Sequence, residues 1–464
     1  MPHILTMYRR LFDSDPPPGA AAWSDVDLVR LAILKKRLGD RKVVANMTTI
    51  PPRFEHIPGV LERLKTHLII DSVRVLVPQH YRSFDPAIVP RWATIVPVDY
   101  GPATRYVFAE GDVVVSLDDD TEYSHVQSLE LVEKVLTEGG AWGGSGFNLD
   151  RYFLGDYSKR NGPVQVLEGY GMIALLGSDL DKVRDNMQSN DCLNDDLMLS
   201  NFLDGQGVQR NLLHRDVKQH EYGMQADALH NRVGSHQKNN LTELLKLRKA
   251  GKMHFKPMVT YAVTVCNEHQ ELRTLLGALE RNIVHSDEIR VLVDSGKVTN
   301  EVYKVLADFP WVQQHMRKFQ DDFADHRNYL NSVCKGRFVF ALDADEVPAA
   351  DLVRNLYQVL TNDFDLAFVP RVNFIPGISQ EELKFFNFQV TEFGAINWPD
   401  MQGRIYRNDP SIKWEAHLHE KVQGANKVLQ IQPNPMLALW HIKTVEKMHK
   451  QHQHYLEIDI LKQS

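Results

Sequence analysis

Two runs of acidic residues each follow a short apolar segment, one in either half of the 464-residue chain. In the first half VVVSL precedes Asp118, Asp119 and Asp120, and in the second half FVFAL precedes Asp343-Ala344-Asp345. Carboxylates at alternate positions past the end of a buried strand point the same way and can share Mn²⁺ or Mg²⁺. Such a cation can bind a diphosphate, so the pattern predicts two nucleotide-handling sites. For either run alone, a solvated turn is the alternative.

Further polar groups in the second half are placed to complete a site. Asn267, Glu268 and Asp294 stand at the ends of predicted strands, where small polar groups can hydrogen-bond a base or ribose. A helix N-terminus is the alternative for Asn267-Glu268. Arg327 in DFADHRNYL offers charge-assisted contacts to phosphate oxygens, unless it belongs to a surface salt bridge.

Four stretches of the second half resemble glycosyltransferase family 2 domains, in the family's order and over about residues 258–445. They are TYAVTVCNEHQEL, IRVLVDSG, DFADHRNYLNSVCKGRFVFALDADE and GRIYRNDPSIKWEAHLHEKV, and they are closest to bacterial lipopolysaccharide-core glycosyltransferases. The resemblance implies a GT-A fold, a nucleotide-sugar donor, a divalent metal and inversion at the anomeric carbon. It places Asp294 at the nucleoside, Arg327 at the diphosphate, Asp343 in the donor site and Asp345 at the metal. The residues after DSG depart from the family's usual Ser-Thr-Asp and leave the nucleoside open.

An inverting transfer also needs a base that takes the proton of the acceptor hydroxyl. Glu420 in His417-Leu418-His419-Glu420 is our candidate, with His419 orienting it or touching phosphate. An exposed polar turn is the alternative, and another Asp or Glu could be the base.

Three stretches of the first half, TTIPPR, DYGPATR and VVVSLDDDTEY, resemble another GT-A group. This group includes the amino-terminal glycosyltransferase domains of large algal-virus proteins, and the resemblance covers about residues 42–240. Thr49, Arg53 and Arg105 are therefore expected to bind the donor together with Asp118 and Asp119, and Asp120 is expected to bind the metal. A proline turn and a tight loop explain the first two stretches equally well.

Later residues of the first half supply its remaining candidates. Gly169 in EGYG could bring the backbone close to a donor sugar, although a glycine turn without a ligand is as good an explanation. Asp195 or Asp196, at a predicted helix start, is the candidate base, and capping is the alternative. His236, or His230, could complete the metal shell.

The order of apolar segments predicts an α/β chain with two tandem GT-A domains. Residues 1–41 form an amino-terminal appendage whose helix docks its apolar face on the first domain. Residues 42–240 form the first domain and residues 241–257 a helical linker. Residues 258–464 form the second domain with a helical tail.

Composition limits the class of protein. The net charge of −7 argues against nucleic acid as the main partner. The three cysteines, Cys192, Cys266 and Cys334, show no CxxC spacing and indicate neither a zinc site nor a disulfide framework. No apolar run is long enough for a transmembrane segment. We expect a cytoplasmic protein, in the host cytoplasm if the source is viral.

These observations favour a bifunctional metal-dependent glycosyltransferase that extends a glycan acceptor, with inversion. One alternative keeps a single catalytic domain and makes the other a glycan-binding or scaffold domain. Another is a phosphatase of the haloacid dehalogenase type, which needs DxDxT. The fifth positions here are Glu122 and Val347, which disfavours that class.

Overall fold

The computed structural model describes residues 2–78, 81, 83–89, 93–101, 103–154, 156, 159–188, 194–221, 236–450, 452 and 453. The chain divides into two compact units, Met1–Glu243 (unit 1) and Leu244–Ser464 (unit 2). The domain boundaries expected from the sequence stay a prediction.

The helices of unit 1 are α1 (Pro2–Phe12), α2 (Asp25–Leu38), α3 (Ile57–Leu64), α4 (His125–Glu138), α5 (Leu149–Phe153), α6 (Gly177–Asp181), α7 (Arg184–Met187) and α8 (Asp195–Gly205). Its strands are β1 (Val43–Thr48), β2 (Ser72–Val77), β3 (Ala93–Pro97), β4 (Val113–Asp118), β5 (Thr121–Glu122), β6 (Ala141–Gly143), β7 (Gly146–Phe147), β8 (Gly162–Pro163), β9 (Val166–Leu167), β10 (Ile173–Leu176), β11 (Arg210–Leu212) and β12 (Lys218–Gln219). Helix α9 (His236–Lys249) contains the boundary between the units.

Unit 1 is built on a mixed sheet. Within its described residues, eight strands lie in the order β3-β2-β1-β4-β10-β6-β11-β8. The first four are parallel, and β10 runs antiparallel to β4. Strands β1 and β4 are buried almost throughout, as expected of central parallel strands with apolar runs. Thr48 pairs with Asp118 in the register, so the acidic run begins at the carboxyl edge of the sheet.

Helix α2 of the predicted appendage belongs to the core of unit 1. Ser24 caps it by accepting the backbone N–H of Asp27 at 3.2 Å. Its leucines are buried among the residues of the first sheet, namely Leu28, Leu31, Leu34 and Leu38. Ile33, which the apolar pattern placed on the docking face, is instead 62% exposed.

The helices of unit 2 are α10 (His269–Asn282), α11 (Asn300–Asp308), α12 (Phe323–Val333), α13 (Ala350–Arg354), α14 (Leu356–Leu360) and α15 (Gln380–Phe385), and residues 445–450 are also helical. Its strands are β13 (Val259–Val265), β14 (Glu288–Asp294), β15 (Gln313–Arg317), β16 (Phe338–Asp343), β17 (Glu346–Pro348), β18 (Leu366–Phe374), β19 (Ile396–Arg407), β20 (Lys413–Glu415), β21 (Lys421–Gln423), β22 (Val428–Gln430) and β23 (Leu439–Ile442).

The sheet of unit 2 begins with the same arrangement. Its path is β15-β14-β13-β16-β19-β18-β23-β17, and β22 pairs with β18. The first four strands are parallel, and β19 runs antiparallel to β16. Thr264 pairs with Asp343, as Thr48 pairs with Asp118 in unit 1. In both units the first four strands of the chain segment lie side by side in the order third, second, first and fourth. The acidic run begins at the last residue of the fourth strand.

The predicted mixed α/β class is confirmed, with a large sheet in each unit. The helix expected near residues 239–252 forms as α9. Over the described ranges, no helix has the length and apolarity needed to cross a bilayer.

Candidate functional site

Arg327 joins two of the predicted site carboxylates in unit 2. It lies in α12, and its Nε donates to Glu420 Oε1 while its Nη2 donates to Asp343 Oδ1, both at 2.7 Å. The guanidinium carbon lies 4.7 Å from the centre of the Trp414 ring. Because a planar guanidinium donates in fixed directions, this arginine sets the position of Glu420 relative to the end of β16.

A second arginine, Arg404, contacts the other carboxylate oxygen of Asp343. Nη2 of Arg404, in β19, lies 2.8 Å from Asp343 Oδ2 and 2.7 Å from Glu346 Oε1. Burial alone would raise the pKa of Asp343, but Arg327 and Arg404 outweigh it and hold that pKa well below its ordinary value. Asp343 is therefore ionised, and both of its oxygens contact arginine.

Asp345, the predicted metal ligand, faces different partners. His441 Nε2 lies 3.4 Å and Lys447 Nζ 3.2 Å from Asp345 Oδ2. The other ring nitrogen of His441, Nδ1, lies 2.8 Å from the amide oxygen of Asn373. Because an amide oxygen only accepts, Nδ1 carries a hydrogen and donates it to Asn373, which leaves Nε2 facing Asp345. A partner on the second nitrogen is typical of a metal-binding histidine.

The donor set at Asp345 and His441 fits a divalent cation. An oxygen of Asp345 and Nε2 of His441 lie 3.4 Å apart. Carboxylates are usual ligands of Mg²⁺ and Mn²⁺, and imidazole nitrogens are usual ligands of transition metals. In the part of the chain that the structure describes, no three His, Cys, Asp or Glu side chains are grouped to hold an ion. A cation that bridges a diphosphate needs only one or two protein ligands, because phosphate oxygens and water supply the rest.

The predicted nucleoside-binding residues lie at the ends of β13 and β14. Asp294 Oδ1 accepts the backbone N–H groups of Gly296 and Phe319, each at 2.9 Å. Glu268 Oε2 accepts those of Cys266 at 2.9 Å and Asn267 at 3.0 Å, directly before α10. These bonds agree with a helix start at Asn267-Glu268, and the donor-binding roles of Asn267, Glu268 and Asp294 stay predictions.

The turn that carries Glu420 has an unusual backbone. Ala416 has a φ of 75° and His419 a φ of 53°, although neither is glycine. Residues of this type adopt positive φ only where the surrounding structure enforces it, and such positions cluster at functional sites. His419 is exposed and precedes the candidate base Glu420 in the chain. Its predicted role in orienting Glu420 or touching phosphate stays a prediction.

In unit 1, Arg105 gathers three of the predicted site carboxylates. Its Nε donates to Asp195 Oδ2 at 2.8 Å, its Nη2 lies 3.2 Å from Asp196 Oδ1, and its Nη1 contacts Asp118 Oδ1. Asp195 and Asp196 occupy the first turn of α8, which Asn194 caps by accepting the N–H of Leu197 at 2.8 Å. The structure thus brings a helix start and a strand end, far apart in sequence, onto one buried guanidinium.

Arg53 pairs with the other two acids of the run. Its Nη1 lies 2.7 Å from Asp119 Oδ1 and its Nη2 lies 3.1 Å from Asp120 Oδ2. Thr49 is buried close to Asp119. Five carboxylates therefore share two arginines in this part of unit 1.

The acid excess has an electrostatic consequence. Burial, with a further contribution from neighbouring carboxylates, raises the pKa of Asp118 and of Asp195 to about 6. The positive charge of Arg105 opposes this rise without cancelling it. Burial also raises the pKa of Asp196 and of Asp119. Carboxylates are the ligands that divalent cations such as Mg²⁺ prefer, and the predicted metal role of Asp120 stays a prediction.

Gly169 and Gly171 of unit 1 serve close packing between protein segments. A Cβ on Gly169 would lie 2.8 Å from the guanidinium of Arg105, and one on Gly171 would lie 2.4 Å from Ser145. The N–H of Gly169 donates to Asp196 Oδ2 at 2.8 Å. Gly169 is thus part of the site through Arg105 and Asp196, and its predicted contact with a donor stays a prediction.

Some site residues were missed by the sequence analysis, and two candidates are not described. Arg404 belongs to the quoted stretch GRIYRND, so an arginine in that stretch was the available signal. His441 and Asn373 carried no local signal. The side chain of His236, and the whole of His230, lie outside the described residues.

Comparisons with known proteins identify part of unit 2. Residues 260–410 match the family model described as Glycosyl transferase family 2. The glycosyltransferase SunS of Bacillus phage SPbeta and the SPbeta prophage-derived glycosyltransferase SunS of Bacillus subtilis (strain 168) are each 25% identical to this chain over 191 residues. That alignment covers 40% of this chain and 39% of each relative, so the chain spans well under half the length of these relatives.

Among solved structures, S. aureus TarS 1-349 aligns with 15% identity and a TM-score of 0.29, over 40% of this chain and 60% of its own. TarS 1-349 in complex with UDP-GlcNAc aligns with 16% identity and a TM-score of 0.28, over 40% and 58%. The resemblance predicted for residues 42–240 stays a prediction. The family match confirms the enzyme class expected for the second half: residues 260–410 of this chain are similar to glycosyltransferase family 2 domains.

Proposed function

We propose that unit 2 is a metal-dependent, inverting glycosyltransferase that uses a nucleotide-sugar donor. The observation that carries this proposal is the Arg327 bridge between Asp343 and Glu420. This bridge holds the candidate base Glu420 beside Asp343 at the end of β16. Arg327 and Asp343 lie within the family match at residues 260–410, and Glu420 follows it. The UDP and UDP-GlcNAc complexes of TarS make UDP-sugars the first donors to test.

The residues divide the work by their chemistry. Asp345 and His441 would hold the cation, which, when bound, neutralises charge on the leaving diphosphate. Glu420 accepts the proton of the acceptor hydroxyl while that oxygen bonds to the anomeric carbon. The bond from this carbon to the diphosphate oxygen breaks in the same displacement, so the configuration inverts. Arg327 and Arg404 keep Asp343 ionised, and Arg327 also holds Glu420 in place.

We further propose that unit 1 is a second GT-A module, which would make the chain bifunctional towards a growing glycan. The same order of four parallel strands and the same placement of the acidic run support this reading. Asp120 would then help to hold its cation, and Asp195 or Asp196 would be its base.

A second candidate is a unit 1 that binds glycan without catalysis. It is favoured by the contacts of Asp196, both of whose oxygens are engaged: Oδ1 by Arg105 and Tyr106, and Oδ2 by the N–H of Gly169. A base that must accept a proton would have to leave part of this pairing.

The test for unit 2 is nucleotide release from a panel of UDP-glucose, UDP-galactose, UDP-GlcNAc and GDP-mannose with Mn²⁺ or Mg²⁺. We expect turnover of at least one donor, loss of turnover in EDTA, and recovery when metal is added. Glu420→Gln should lower turnover by about 10²- to 10⁴-fold, the usual contribution of a general base. Glu415→Gln is the matched control, because Glu415 is exposed and lies five residues away. Full activity of Glu420→Gln would reject Glu420 as the base.

A further inference from the structure

Two lysines near the end of unit 2 lie beside the predicted metal ligand. Lys443 follows β23 directly, and Lys447 lies four residues later, within helical residues 445–450. Lys447 Nζ lies 3.2 Å from Asp345 Oδ2 and 3.2 Å from Glu271 Oε1. Lys443 is half-buried and interacts electrostatically with both Asp345 and Asp343. Both ammonium groups interact with Asp345, so both can serve one site.

The Lys447 contact differs from an ordinary surface ion pair. The side chains of Lys447 and Asp345 are 29% and 13% exposed, whereas those of Lys450 and Glu446 on the same helix are 73% and 76% exposed. Pairs that are partly withdrawn from water are screened less and interact more strongly. The Lys447–Asp345 pair is thus a specific contact of the site, while the Lys450–Glu446 pair is not.

The position of Lys447 conflicts with a cation at Asp345. Asp345 Oδ2 faces both Nε2 of His441 and the ammonium of Lys447. A divalent cation at this oxygen would repel an ammonium group at hydrogen-bond distance. A long lysine side chain can move several ångströms on its flexible stem without a change in its helix.

We propose that Lys447 is the counter-ion of Asp345 until metal and donor bind, and that Lys447 then contacts the donor diphosphate together with Lys443. This inference rests on the proposed function of unit 2. The segment after β23 thereby becomes part of the donor site, beyond the residues of the family match at 260–410.

The test measures two affinities that should change in opposite directions. Mn²⁺ binding is followed through the electron paramagnetic resonance signal of free Mn²⁺, and the site at Asp345 is the one that Asp345→Asn removes. Lys447→Gln should bind Mn²⁺ there about three- to tenfold more tightly, because the competing charge is gone. In the presence of Mn²⁺ it should bind the best of UDP, GDP and CDP about tenfold more weakly, because a charge-assisted contact is lost.

Lys450→Gln is the matched control and should change neither affinity. Lys447→Arg, which keeps the charge, should restore most of the nucleotide affinity. Equal affinities in wild type and Lys447→Gln, changes of both in the same direction, or the absence of an Asp345-dependent Mn²⁺ site would overturn the proposal. If none of the three nucleotides binds the wild-type protein, the proposed function fails, and the Mn²⁺ measurement still decides whether Lys447 competes at Asp345.

Discussion

One guanidinium organises the acids of the second site. Arg327 is nearly buried, contacts two carboxylates from different segments, and lies over the ring of Trp414. Predicted from the sequence as a diphosphate ligand, it has in the structure a positioning role towards Asp343 and Glu420. Whether it also contacts the diphosphate stays a prediction.

Arg327→Lys tests this positioning role. A lysine has one ammonium group and cannot hold both carboxylates in the fixed geometry of the guanidinium, so Glu420 loses its orientation. We expect kcat/KM for donor turnover to fall about 100-fold, as expected for a misplaced catalytic group. Arg327→Ala should in addition lower the free energy of unfolding by about 3 kcal/mol, because it leaves buried carboxylates unpaired.

Arg273→Lys provides the control for this experiment. Arg273 pairs with Asp308 while both side chains are about half exposed. Its replacement should change the free energy of unfolding by less than about 0.5 kcal/mol. An Arg327→Lys variant with wild-type kinetics would contradict the positioning role.

Glycine-dependent packing joins the segments WGGSG and EGYG of unit 1. Gly144 would place a Cβ 2.3 Å from the carbonyl oxygen of Gly171, and Gly169 lies equally close-packed on Arg105. The EGYG pattern predicts either a ligand at Gly169 or a glycine turn without one. In the structure these glycines admit neighbouring protein atoms, which a sequence pattern alone does not distinguish.

Gly169→Ala should displace Arg105 and with it the contacts to Asp118, Asp195 and Asp196. We expect a loss of about 1–3 kcal/mol in the free energy of unfolding of unit 1, the usual effect of overpacking. Gly59→Ala in α3 is the control, since its Cβ would meet no atom closer than 3.7 Å, and it should stabilise by about 0.5–1 kcal/mol. Chemical denaturation of both variants measures the difference. A neutral Gly169→Ala would show that Arg105 does not need this close approach.

The start of the second sheet contains a buried acid that should make stability depend on pH. Asp287 Oδ1 accepts the N–H groups of Met258 and Val259 and the hydroxyl of Tyr357, at 2.9–3.0 Å. Burial raises its pKa from 3.8 to about 7 in spite of these hydrogen bonds. The folded protein thus binds a proton that the unfolded chain has lost above pH 4.

The sign of the effect follows from linkage. The contribution of Asp287 to stability is fully present below its unfolded pKa of 3.8 and is lost as pH rises through about 7. We expect the melting temperature of unit 2 to fall over this range relative to Asp287→Asn, whose amide oxygen can keep the three acceptor bonds. Calorimetry of both proteins between pH 4 and pH 8 makes the comparison. Parallel pH profiles would contradict the raised pKa.

Local patterns predicted the elements better than the site. Apolar runs predicted the strands β1, β4, β13 and β16, because central parallel strands are buried on both faces. The acidic runs directly follow the apolar residues of β4 and β16. Arg404 and His441 could not be assigned in this way. They reach Asp343 and Asp345 because β19 and β23 enter the sheet at positions set by long-range pairing. The link from Arg105 to α8 likewise depends on tertiary packing.

The whole molecule repeats one arrangement in units of different charge balance. Each unit orders its first strands as third, second, first and fourth, and each ends the fourth strand in acids. In unit 2 arginines keep Asp343 ionised, while in unit 1 five acids share two arginines and Asp118 and Asp195 have raised pKa values. We therefore expect the two units to differ in metal affinity and in the pH dependence of any activity.

The measurement that tests the account most directly compares Asp120→Asn and Asp345→Asn with the intact protein on a donor panel. It follows nucleotide release with Mn²⁺ or Mg²⁺. We predict that Asp345→Asn abolishes turnover of one donor and that Asp120→Asn abolishes turnover of a different donor, each variant leaving the other activity in place. Turnover that survives Asp345→Asn unchanged for every donor would contradict a metal-dependent transferase in unit 2. Turnover unaffected by Asp120→Asn would contradict a second catalytic site in unit 1.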